Sequence, residues 1–322
     1  SMQELIQEFQ EIIKTNQKFV VISHNKPDGD TLGSNLALSK VLRRLGKTVT
    51  SACHDKVSDT MLFLPNIESI VQDFVLEEFD CVIVVDTAAK HLVSFFEKYP
   101  ELERTKKPIV TIDHHASSKP FGTLNIIDPK ATSTTSLLMQ ILETLNYEID
   151  SEMATCLLNG IYTDTGSFMH SNTNTLVLKQ ASKLTKLGAD RHAIQKNNFK
   201  KTNYKKLKLM GEVLSNIDIT QEGVVQSGVS QFTFKKYNAT TDDLSGVADM
   251  ICSIPNTDYT ILFTEEQSGK IKASLRTRKD EVNVAKVAEN FGGGGHTKAA
   301  GFRVAGRLQK KTSWDFNQLP KN

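Results

Sequence analysis

Leu5, Ile6, Phe9, Ile12 and Ile13 recur at helical spacing and predict an amphipathic first helix. The unbroken apolar run KFVVIS, Lys18 to Ser23, then predicts a short buried strand. A loop rich in Asp and Gly leads into a second helical pattern, Leu36, Leu38, Val41, Leu42 and Leu45, which stops at Gly46. The alternation returns in KTVTSAC, CVIVVDT (Cys81 to Thr87) and PIVTIDHH (Pro108 to His115), with amphipathic stretches between them. Continuous apolar strands separated by helices predict an α/β domain with a largely parallel, doubly covered sheet. Ser133 to Leu145, Glu152 to Tyr162 and Asn174 to Leu187 then read as helices.

From about Glu212 the pattern changes to strands (VVQSGVSQFTF, YTILFTEE, KIKASLRT) around two helices, Asp242 to Ser253 and Val284 to Phe291. This predicts a second, smaller α/β domain. Between Asp190 and Glu212 no acidic residue occurs, while Arg191, Lys196, Lys200, Lys201, Lys205, Lys206 and Lys208 are interleaved with Phe199 and Tyr204. The domains are therefore drawn as 3–190 and 212–306, joined by a basic helical connector over 191–211 that is either a solvated face or a rim for a polyanion. The residues beyond Gly306, with Trp314, read as a frayed end.

Composition narrows the function classes. The chain has 322 residues and a formal net charge of +2, so any nucleic-acid contact must be local rather than histone-like. Cys53, Cys81, Cys156 and Cys252 show neither zinc-ribbon nor disulfide-framework spacing, which fits a reducing cytoplasm. The acidic N-terminal segment does not resemble a signal peptide, no apolar run suits a membrane, and the leading Ser-Met reads as an expression remnant. A soluble protein with no membrane association is expected.

The candidate chemistry lies at strand ends. His24, Asp28 and Asp30 sit in the loop leaving the first strand, where open α/β sheets bind ligands. Asp28 and Asp30 flank one glycine and repel each other unless cations neutralise them. Asp86 ends CVIVVDT, Asp113, His114 and His115 end PIVTIDHH, and Asp164 ends a helical segment in IYTDTGSF. Carboxylates and imidazoles without thiolate suit Mn²⁺ or Mg²⁺, with Zn²⁺, Co²⁺ or Fe²⁺ as competitors. Six such side chains fit two ions better than one, bridged by an Asp, and a pair of this kind supports phosphoester hydrolysis. In the second domain the run Gly292, Gly293, Gly294, Gly295 leads to His296. It is read as a backbone nest for an anion to which His296 and Lys298 add donors. Alternation in ASLRTR places Arg276 and Arg278 on one face, either as phosphate ligands or as partners in surface salt bridges.

With HNKPDGD, Asp86, the Asp113-His114-His115 triplet, Asp164 and GGGGH in this order, the chain resembles the DHH phosphoesterases that carry a DHHA1 substrate domain. Its size is similar to that of the nanoRNase branch, which lacks the extra domains of RecJ exonucleases. The resemblance implies that His24, Asp28 and Asp86 hold one Mn²⁺ while Asp30, Asp86, His114 and Asp164 hold the other. It further implies that His115 faces the scissile phosphate and that Asp113 orients the first histidine of the triplet. Arg276, the glycine run and His296 would grip a terminal phosphate or nucleotide. The implied substrates are short oligoribonucleotides, cut to mononucleotides, and 3′-phosphoadenosine 5′-phosphate (PAP). A linear or cyclic dinucleotide such as pApA or c-di-AMP, and a nucleotide sensor without activity, are the competing readings. Metals on one domain and an anion grip on the other would select substrates of roughly two to five nucleotides, held by phosphate contacts and stacking rather than base identity. A homodimer is compatible with the sequence.

Overall fold

The computed structural model describes residues 1–87, 89–199, 204–244 and 246–309, with the Phe199 side chain excepted. Lys200 and Lys201 of the basic connector and Trp314 of the tail lie outside the described residues. The chain divides into two compact units, Ser1–Lys201 and Thr202–Asn322.

The first unit runs α1 (Met2–Thr15), β1 (Lys18–Ile22), α2 (Gly29–Arg44), β2 (Thr48–Ala52), β3 (Ile70–Val71), β4 (Cys81–Val85), α3 (Ser94–Lys98), β5 (Ile109–Asp113) and β6 (Leu124–Ile127). Four helices follow: α4 (Thr134–Thr144), α5 (Ser151–Asp164), α6 (Thr175–Lys186) and α7 (Arg191–Phe199). The strands form one parallel sheet in the order β3-β2-β1-β4-β5-β6. Alternate residues feed two cores. Phe19, Val21, Ile83 and Val85 pack with α1, α2, α4 and α5, whereas Val20, Ile22, Val82 and Val84 pack with Phe74, Phe79, Phe95 and Phe96. The predicted doubly covered α/β sheet is present. The two-residue β3 and the four-residue β6 were not foreseen, because neither contains a run long enough to show a period.

Strand order reverses between β1 and β4, and at such a switch point neighbouring connections leave the sheet in opposite directions and open a crevice. The loop holding His24 and the turn at Asp86 both begin there.

The second unit contains α8 (Tyr204–Ser215), β7 (Asp218–Ile219), β8 (Val224–Val229), α9 (Gln231–Tyr237), α10 (Val247–Ile251), β9 (Tyr259–Glu265), β10 (Lys270–Arg276), α11 (Val284–Glu289), β11 (Gly294–His296) and β12 (Ala299–Ala305). Its mixed sheet has the order β11-β12-β10-β9-β8-β7. One expectation fails here: VVQSGVSQFTF is not a single strand. Ser230 ends it by capping α9, its hydroxyl accepting from the Thr233 amide, so QFTF turns into helix. The helix expected over Asp242 to Ser253 is also shorter, a 3₁₀ turn at Thr241–Leu244 followed by α10.

Candidate metal centre

Local backbone chemistry aims each ligand. Asp28 is the N-cap of α2, its Oδ1 accepting from the amides of Asp30 (3.0 Å) and Thr31 (3.1 Å). Asp30, in the first turn of α2, is wholly buried and points at the start of α4. There the Thr134 amide reaches its Oδ2 (2.7 Å), and the Thr135 amide and hydroxyl reach its Oδ1 (2.9 and 2.7 Å). Asp86 follows β4 in the left-handed region at φ 58°, an uncommon conformation for a residue with a Cβ. Its Oδ1 accepts from the Thr134 hydroxyl at 2.9 Å. Thr134 and Thr135 are therefore site residues that the sequence reading did not single out, although the polar run TSTTS before an apolar helix signals a cap.

The predicted ligands converge. His24, Asp28 and Asp86 form one group, Asp30, His114 and Asp164 a second, and Asp86, His114 and His115 a third, with the ligand atoms of each group within 4.8 Å of one another. Asp86 stands in the middle, Oδ2 lying 3.6 Å from His24 Nε2 and Oδ1 3.7 Å from His114 Nε2. His114 Nε2 is also 3.2 Å from Asp164 Oδ2 and 3.8 Å from Asp30 Oδ2. The imidazoles are oriented from behind: His24 Nδ1 meets the Asn25 carbonyl at 2.7 Å and His114 Nδ1 the Ala131 carbonyl at 3.4 Å, which turns each Nε2 toward the carboxylates.

These groups fit divalent ions. His114 Nε2 is buried and faces carboxylate oxygens at 3.2 to 3.8 Å without a hydrogen bond of good geometry among the described residues, an arrangement that a shared cation would complete. The electrostatics agree. Burial, together with Asp86 and Asp164, drives the Asp30 pKa well above the ordinary carboxylate value. Burial also works against ionisation of Asp86, but the facing imidazoles of His24, His114 and His115 outweigh it and hold that pKa below normal. Burial lowers the His24 pKa, yet the Asp86 carboxylate and the Asn25 carbonyl bring it up to about 9. The centre is an excess of carboxylate balanced only by imidazole, and a cation relieves the repulsion.

Asp113 departs from its expected role. Its Oδ1 lies 2.7 Å from His115 Nδ1, so it orients the second histidine of the triplet and not the first. The reason is the end of the strand: Asp113 is the last residue of β5, and the bend of the chain beyond it brings His115, not His114, to its carboxylate. That hydrogen bond raises the His115 pKa to about 8 while the ring stays half-exposed.

In the second unit, Arg276, Ala299 and His296 are paired residues of β10, β12 and β11, which puts Arg276 and His296 on one face two strands apart. Arg276 Nε bonds Asp249 (2.8 Å) and Nη1 the Leu275 carbonyl (2.9 Å). Arg278 lies beyond the end of β10, so strand alternation does not fix its face. Lys298 is committed elsewhere, to the Lys279 carbonyl and to Asp280 at 2.9 Å. Two glycines of the run serve packing, since a Cβ on Gly293 would sit 2.2 Å from the Gly301 oxygen and one on Gly295 2.6 Å from that of Ala299, whereas a Cβ on Gly292 or Gly294 would meet nothing within 4 Å. All four cysteines are buried and unpaired, and none joins the metal-ligand groups among the described residues. No helix among the described residues is long and apolar enough to cross a membrane.

Comparison with known proteins agrees with this division. Residues 18–161 match the DHH family, N-terminal domain, and residues 223–313 match the DHHA1 domain. The chain is similar to a probable bifunctional oligoribonuclease and PAP phosphatase of Streptococcus mutans, with 28% identity over 90% of each sequence. It is also 25% identical to the bifunctional oligoribonuclease and PAP phosphatase of Bacillus subtilis, covering 95% of this chain and 94% of that one. Among solved structures, an exopolyphosphatase-related protein of Bacteroides fragilis superposes with a TM-score of 0.84 at 25% identity, covering 95% and 92% of the two chains. RecJ of Thermus thermophilus in complex with Mn²⁺ shares the fold, with a TM-score of 0.53 at 15% identity over 94% of this chain and 51% of RecJ.

Proposed function

We propose that this chain, which carries the DHH family's N-terminal domain followed by a DHHA1 domain, is a phosphoesterase that hydrolyses short oligoribonucleotides to mononucleotides and PAP to AMP. The observation that carries the reading is Asp86, whose two oxygens each face a different set of ligands. Similarity to the S. mutans and B. subtilis proteins supports the substrate class.

His24, Asp28 and Asp86 would hold one divalent ion and Asp30, Asp86, His114 and Asp164 the other, with Mn²⁺ the expected metal. When bound, such a pair supplies Lewis acidity to the phosphoryl oxygens and lowers the pKa of a water. The protein's own groups do the rest. Asp113 orients the His115 ring through Nδ1, and that hydrogen bond favours the protonated imidazole. His115 is thus placed to donate a proton to a phosphate or leaving oxygen. Arg276, the glycine run and His296 would hold a non-reacting phosphate, so Arg276→Ala should mainly raise KM.

Product analysis with Mn²⁺ over PAP and two- to ten-nucleotide RNA tests the reading directly. Mononucleotide release from the shortest RNAs and AMP from PAP are expected. Inertness toward all of them, with the metal shown to be bound, would refute it.

A further inference from the structure

We propose that the face of β10 and β12 on which Lys272 and Arg303 are exposed carries a second phosphate position, formed by these two residues, that engages the backbone of an oligoribonucleotide beyond its anchored end. The inference rests on the phosphoesterase reading above and names which substrates gain from this face.

Alternation separates the two sides of the sheet. Ala273, Leu275, Ala300 and Phe302 pack beneath α11, while Leu262 and Val229 face the core formed with α8, α9 and α10. Arg276, Ser274 and Lys272 of β10, with Ala299, Gly301 and Arg303 of β12, share the latter side. The helical cover over β8 and β9 borders this stretch at Asp249, which pairs with Arg276.

The register orders it into rows. Arg276, Ala299 and His296 make the first, Ser274, Gly301 and Gly294 the second, and Lys272 with Arg303 the third. Four residues of strand separate the first row from the third, about 14 Å. The middle row has no side chain larger than serine, so a sugar-phosphate chain can lie close to the backbone between two cationic ends. Lys272 and Arg303 are exposed, and neither β10 nor β12 contains an acidic residue. Lys272 has no ion pair among the described residues, whereas Arg303 Nε rests on Glu266 at 3.1 Å. Lys272 offers an unpaired cation and Arg303 keeps donors beyond the Nε that meets Glu266, so the face suits a phosphate chain, and the row spacing selects one longer than a single nucleotide. PAP carries both phosphates on one ribose and cannot bridge rows so far apart.

The test compares wild type with Lys272→Glu/Arg303→Glu, using unlabelled pentaadenylate and PAP as probes. The ratio of KM for pentaadenylate to KM for PAP should rise roughly tenfold in the variant. The salt dependence of pentaadenylate binding, read by calorimetry in metal-free buffer, should lose a slope of about two, one for each phosphate-facing cation removed. Lys272→Glu alone, at an exposed and unpaired position, replaces the double variant if that fails to fold and should remove a slope of about one. An unchanged ratio and slope, in a chain that still hydrolyses PAP, overturn the second phosphate position. Wild type that hydrolyses neither probe overturns the phosphoesterase reading and this inference with it.

Discussion

Asp86 concentrates three constraints in one residue: a left-handed backbone, nearly complete burial, and a carboxylate shared between two ligand groups. Asp86→Asn keeps the shape but removes the charge. It should lower Mn²⁺ affinity by more than about 100-fold in a calorimetric titration, since even outer partners of metal ligands are worth up to that much. Retained affinity would exclude Asp86 as the shared ligand. Asp113→Asn tests a different link, because its partner is His115. A fall in kcat of at least about 100-fold with KM little changed is expected, together with a downward shift of the His115 titration followed by NMR. The sequence displayed the ligand types through their positions at strand ends. It did not display which imidazole Asp113 serves, since that depends on how the chain bends after β5. Nor did it display Thr134 and Thr135, whose part depends on α4 docking its first turn against Asp30.

Elements bring these residues together through close helix packing. A Cβ on Gly33 of α2 would lie 2.4 Å from the Cys156 carbonyl oxygen of α5, a backbone atom that cannot rotate aside. Gly33→Ala should therefore destabilise the chain by about 2 kcal/mol in urea unfolding despite the better helix propensity of alanine, and a gain in stability would contradict this packing. On the opposite face of the sheet, Asp73 clamps the loop after β3 to the end of α3 through Lys98 (2.5 Å) and the Tyr99 hydroxyl (2.6 Å). Those partners hold the Asp73 pKa at about 2. Because the folded pKa lies below the unfolded value of roughly 3.9, the contribution is complete above that value and lost as pH falls toward the folded one. The urea midpoint of Asp73→Asn should trail wild type at pH 6, and the gap should narrow by pH 3. Strands and helices with a clear period were legible in advance. The boundary at Ser230 was not, because β-branched and aromatic residues continue past the cap and mask the change of period.

For the whole molecule, the candidate metal-ligand groups found among the described residues all belong to the unit Ser1–Lys201. Hydrogen exchange with and without Mn²⁺ should accordingly show protection of the peptides spanning His24 to Thr31, Asp86, Asp113 to His115 and Thr134 to Asp164, with the β10 and β12 amides unaffected. Protection that appears first in the second unit would displace the metal centre. Sequence alone determined the α/β class, the alternation that makes the first sheet, and the inventory of carboxylates and imidazoles, because hydrophobic period and residue type are local properties of the chain. Tertiary structure decided which of those groups face one another across the switch point between β1 and β4. It also decided which glycines serve packing rather than ligand approach, and which basic side chains share one face of the second sheet. Those outcomes depend on strand order, register and helix docking, which join positions more than a hundred residues apart and leave no periodic trace in the sequence.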